Sequence, residues 1–69
     1  MRNTSIMPKA PVGRILFRAG AKRVSQTATD TFAEVLTQIA EDIATKAVQI
    51  ARHSGRKTVQ EGDIKLAAK

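Results

Sequence analysis

Residues 25–55 read SQTATDTFAEVLTQIAEDIATKAVQIARHSG, with no proline and no glycine before the last position. Ser25 suits an N-cap and Ser54-Gly55 a stop, so the stretch predicts one helix from Gln26 to His53. At 1.5 Å per residue that helix is ~42 Å long, a long rod for a chain of 69 residues.

The faces of the rod carry the next step. At 100° per residue, Ala28, Phe32, Val35, Leu36, Ile39, Ile43, Ala47 and Ile50 fall on one apolar stripe. Ala33, Ala40, Ala44 and Ala51 form an adjacent lane of small residues, suited to close approach of another backbone. Together they take roughly half the circumference, more than the ~100° stripe of a helix lying on a single core. Asp30, Glu34, Glu41 and Arg52 mark the opposite, solvated face.

Shorter elements flank the rod. A first helix is expected from Pro11, which suits the first helical position, through Val12, Ile15, Leu16 and Ala19 to a stop at Gly20. Met1 to Ala10, with Arg2, Lys9 and Pro8 and no acid, reads as a flexible basic tail, leaving 11–69 as the folded domain. Thr58-Val59-Gln60-Glu61 fits a capping box and predicts a third helix from Val59 to about Ala68. The loops before the second and third helices share Gly-x-Lys-x-Val, at Gly20 to Val24 and at Gly55 to Val59, as though each end of the rod used a similar device.

Two short helices cannot cover a rod of this length and width. A core from 69 residues is also marginal without a disulfide, a metal or a partner chain. There is no cysteine, and His53 is the only histidine, so neither a disulfide nor a metal cage is expected. A second copy of the same rod is the economical covering.

Charge identifies the other partner. Twelve Lys and Arg against six Asp and Glu give a net charge of +6, which favours a polyanion. Arg2, Lys9, Arg14, Arg18, Lys22 and Arg23 precede the rod with no acid among them, while Ser25 to Ala51 holds four acids and only Lys46. Arg52, Arg56 and Lys57 follow, so bases gather on the first helix and at both ends of the rod. Both loops set bases beside a helix N-terminus, where unpaired N–H groups favour phosphate. Phe17 and Phe32 are the only aromatic residues, which argues against single-strand recognition by base stacking. No run approaches the ~20 apolar residues of a membrane span, and no signal peptide is evident. A soluble protein of the cytoplasm, associated with the chromosome, is expected, without membrane contact.

These segments resemble one family. Pro11-Val12-Gly13-Arg14-Ile15, Ala19-Gly20-Ala21-Lys22-Arg23-Val24-Ser25, Ala51-Arg52-His53-Ser54-Gly55-Arg56-Lys57-Thr58-Val59 and Asp63-Ile64 closely resemble archaeal histones in order and spacing, from about Pro8 to Ala68. The resemblance implies an all-α histone fold, with a short helix, a long central helix and a short helix. It further implies two chains interlocked in a handshake homodimer that wraps double-stranded DNA with little sequence specificity.

The resemblance also implies roles. Arg14 matches an arginine that enters the minor groove. Lys22, Arg23, Ser25, Lys57 and Thr58 fall in the paired loops that hold DNA phosphates, and Arg56 with Asp63 matches a salt bridge fixing the second loop. Ile50, His53, Asp63 and Leu66 match the surface through which dimers join into tetramers and longer assemblies. Gly20 matches a glycine that lets superhelical turns approach. Phe17 departs from the pattern, standing where many relatives carry a charged or polar residue, and the third helix stops early.

A heterodimer with a paralogous histone is compatible with the same surfaces. The alternative function is a histone-fold component of a heteromeric transcription-regulatory complex, whose proper mate is a different chain. No enzyme and no cofactor are expected, because no nucleophile, glycine-rich phosphate loop or carboxylate pair accompanies His53.

Overall fold

The computed structural model describes residues 6–69 and contains three helices among them: α1 (Lys9–Arg18), α2 (Gln26–His53) and α3 (Glu61–Ala67). The chain divides within α2 into two compact units, the first ending at Gln38 and the second beginning at Ile39. Met1 to Ser5, half of the expected tail, lie outside the described residues.

α2 has the bounds its sequence predicts. Ser25 Oγ accepts the Ala28 N–H at 3.0 Å, so the serine caps the helix as its residue type suggests. In the first unit α1 begins at Lys9, two residues before Pro11, with extended Pro8 at the cap. Proline is tolerated throughout a first helical turn, where no N–H has an intrahelical partner, and so does not mark the start. Lys9 Nζ donates to Asp30 Oδ1 at 2.8 Å and ties the added residues to α2. The ammonium, as donor, holds the Asp30 carboxyl below its ordinary pKa. Asp30 is therefore a tethering residue rather than part of an open acidic face.

The first unit buries Val12, Ala33 and Thr37, whose hydroxyl donates to the Ala33 carbonyl at 2.8 Å. α1 passes close to α2 at Gly13, where an added Cβ would meet Thr29 Oγ1 at 3.9 Å. The second unit buries Ala47, Ala51, Asp63 and Ala67. Intrachain packing thus uses Ala33 and Ala51 of the small-residue lane, while Ala40 is half-buried and Ala44 exposed. No large side chain among the described residues is fully buried. The large stripe of α2 is left uncovered, with Val35 at 44% and Ile39 at 49% exposure.

α3 corrects the expected capping box. The helix starts at Glu61 with Gln60 as its cap, two residues after the position Thr58 would set. Asp63 Oδ2 accepts the Gln60 N–H at 2.8 Å, so Gln60 and Asp63 are the capping pair. Glu61, expected to cap, instead pairs with Lys65 at 2.8 Å on an exposed surface. A carboxylate already anchored by Arg56 lies within reach of Gln60, and that position decides the start.

The Gly-x-Lys-x-Val repeat has a backbone counterpart. After α1, the Gly20 N–H donates to the Phe17 carbonyl at 3.0 Å and the Ala21 N–H to the Leu16 carbonyl at 3.1 Å. After α2, the Gly55 N–H donates to Arg52 and the Arg56 N–H to Ala51, each at 2.9 Å. Both are Schellman closures with a left-handed glycine, Gly20 at φ 114° and Gly55 at φ 77°. Each closure releases the chain into a basic loop.

Candidate nucleic-acid interface

The basic loops follow from these two closures. Loop 1, Gly20 to Ser25, carries Lys22 and Arg23, both exposed, and ends on exposed Ser25. Ser25 Oγ takes the Ala28 N–H as acceptor, leaving its hydroxyl proton available to an acceptor such as Thr27 Oγ1, 3.3 Å away, or a ligand oxygen. On α1, Arg14 and Arg18 are exposed. Among the described residues the ion pairs are Lys9 with Asp30, Arg56 with Asp63 and Lys65 with Glu61, so none of the loop 1 or outer α1 cations is neutralised by an acid.

Loop 2, Gly55 to Gln60, is fastened. Arg56 Nη1 donates to Asp63 Oδ2 at 2.8 Å and Nη2 to Asp63 Oδ1 at 2.9 Å, while Nη1 also donates to the Thr58 carbonyl at 3.0 Å. This two-point grip is the geometry in which arginine recognises carboxylate most strongly. The guanidinium first, and the Gln60 N–H second, hold the Asp63 carboxyl down at about 2, although burial opposes them. Lys57 and Thr58 remain exposed on the loop that this grip shapes. Arg56 is thereby committed inside the protein and is a positioning residue rather than a free cation.

Ile50, His53 and Leu66 line one groove, together with Lys46, Gln49 and Ser54. Leu66 is 55% exposed. Asp63, grouped with them on sequence grounds, does not line that groove: its side chain is 6% exposed and both oxygens are taken by Arg56. Gly20 stands open, with nothing within 4 Å of an added Cβ, and its closure gives it a backbone reason to be glycine.

The structure gives two further basic residues a place that the sequence does not disclose. Arg52, expected on a solvated face, lines a groove with Val48, Ala51, Arg56, Lys57 and Val59. Its four-residue spacing from Arg56, across the end of α2, is the signal that could have found it. Lys9 falls in the expected tail, and only its tertiary partner Asp30 reveals its place. No helix among the described residues is long and apolar enough to cross a membrane.

Comparison with known proteins agrees with this arrangement. Residues 6–68 match the family model described as histone-like transcription factor (CBF/NF-Y) and archaeal histone. The chain is similar to the archaeal histone HAN1 of Thermococcus zilligii, at 46% identity over 63 residues, covering 91% of this chain and 94% of that protein. It is also similar to probable archaeal histone 3 of Methanocaldococcus jannaschii, at 52% identity over 61 residues, covering 88% and 91%.

Proposed function

The chain belongs to the histone-fold family of archaeal histones and CBF/NF-Y-type factors, and from that premise we propose that this DNA-binding chromatin histone works as a homodimer that bends and wraps duplex DNA. The observation that carries the reading is the uncovered stripe. A chain whose buried apolar residues are Val12, Ala33, Ala47, Ala51 and Ala67, and which leaves Val35 and Ile39 about half exposed, has its larger apolar surface still to bury. The same stripe of a second copy matches it in length and chemistry.

In the antiparallel dimer, loop 1 of one chain lies beside loop 2 of the other at each end. Lys22, Arg23 and Ser25 then meet Lys57 and Thr58 around the same phosphates, and Arg14 reaches into the adjacent minor groove. Affinity comes largely from phosphate neutralisation, so sequence preference is weak and follows ease of bending. The protein packages DNA and is not an enzyme.

Higher assembly belongs to the same proposal. Ile50, His53 and Leu66 form the surface that joins dimers into tetramers or longer arrays, with Asp63 shaping it from below through Arg56. Gly20 leaves room for successive turns to approach. Heterodimers with a paralogous histone use the same stripe.

Micrococcal nuclease digestion of the complex on long duplex DNA is the test. Protection of a regular ladder of lengths is expected. One short footprint, or none, refutes wrapping.

A further inference from the structure

We infer that Phe17 is a DNA-contact residue, giving the basic face of α1 an apolar component that packs against the deoxyribose wall of the duplex between the phosphates engaged by Arg14 and Arg18. The inference rests on the DNA-binding reading above and adds to it a contact that does not depend on charge. Phe17 is 51% exposed on a ten-residue helix. At 100° per residue it lies about 60° from Arg14 and about 140° from buried Val12, on the outer face of α1.

Helix geometry separates Phe17 from the apolar surfaces already described. Ile15, the other large exposed apolar residue of α1, points about 160° away from it, so one flat partner cannot cover both. What surrounds Phe17 on its own face is cationic: Arg14 and Arg18 are exposed, and α1 contains no acid. An aromatic ring between two unpaired guanidinium groups complements a surface in which apolar sugar rings alternate with phosphates. That surface is duplex DNA, where apolar side chains commonly meet sugars and groove edges.

The test exploits an unusual composition. The chain has no tryptophan and no tyrosine, so Phe17→Trp places a single reporter at the proposed contact. Its emission is expected to shift or quench when duplex DNA is added, and unchanged emission while binding proceeds overturns the proposal. In salt titrations, Phe17→Ala should weaken binding on the order of tenfold at every salt concentration, giving a parallel line. Phe17→Lys should instead steepen the line, by about 0.9 for each new phosphate contact.

Sedimentation guards against a structural cause. Phe17→Ala and Phe17→Lys are expected to remain dimers, and dissociation of both would make Phe17 a contact between protomers and overturn the proposal. If Phe17→Ala overlays wild type while Arg23→Ala and Lys57→Ala weaken binding, Phe17 is not a contact and the DNA reading stands. If none of the three alters binding, the DNA reading itself fails and takes the proposal with it.

Discussion

Arg56 grips Asp63 through both of its terminal nitrogens, at 2.8 and 2.9 Å, and the same Asp63 caps α3 through the Gln60 N–H. One buried carboxylate therefore sets both the path of loop 2 and the start of the helix after it. Arg56 completes the arrangement by holding the Thr58 carbonyl, next to the cation expected to meet DNA.

This relationship gives a pH dependence of definite sign. Asp63 sits at about 2 against an ordinary 3.8, held down by Arg56 first and Gln60 second. A carboxyl whose pKa is depressed by folding stabilises fully above its unfolded value, and that contribution is lost as pH falls from about 3.8 through about 2. Asp63→Asn should flatten the acid limb of stability across that window, read from urea midpoints in a pH series. An acid limb as steep as wild type would remove Asp63 from the account.

Dimerisation predicts how Ile39 responds. Truncating a surface residue usually changes stability by less than ~0.5 kcal/mol, and in one chain Ile39 is 49% exposed. If the stripe is buried by a second copy, Ile39→Ala should cost about 2–5 kcal/mol per chain, as in a core. Thermal melts and sedimentation together check this, and a melt matching wild type would mean the stripe is not an interface.

The paired-loop proposal predicts a change of slope. In a homodimer each substitution is present twice, so Arg23→Ala or Lys57→Ala should lower the log–log salt dependence of DNA affinity by about 1.8. The weakening should be nearly uniform across sequences. Arg14→Ala should act differently, eroding preference for narrow minor grooves. Filter binding on three duplexes at several salt concentrations distinguishes the two behaviours, and unchanged slopes refute the phosphate assignment.

The two closing glycines should not tolerate the same replacements. An added Cβ meets nothing within 4 Å at either, so the cost lies in the backbone. Gly55, at φ 77°, is near the left-handed region that asparagine enters readily. Gly20, at φ 114°, is well outside it. Gly55→Asn should therefore be mild, and Gly20→Asn should lower stability by about 1 kcal/mol or more. Calorimetry of the two variants provides the comparison, and equal losses would contradict it.

What was legible in the sequence depends on where each signal resides. α2 was readable to its ends because Ser25 and Ser54-Gly55 are local signals acting on their own neighbours. The starts of α1 and α3 were not, because distant partners decide them: Asp30 holds Lys9, and Arg56 anchors the carboxylate that caps at Gln60. The Arg56–Asp63 pairing followed from the family resemblance, but the burial that removes Asp63 from the groove of His53 and Leu66 required coordinates. Phe17 was visible only as an irregularity until its exposure and face were known.

The unequal fastening of the two loops has a thermodynamic consequence. Loop 2 arrives with its backbone restrained by a guanidinium, whereas the cations of loop 1 have no such tether among the described residues. Ordering a loop on binding costs conformational entropy that a pre-organised loop has already lost during folding. The entropic penalty of engaging DNA should therefore fall mainly on Lys22 to Ser25, making that segment the one whose amide hydrogens slow their exchange most when the duplex binds.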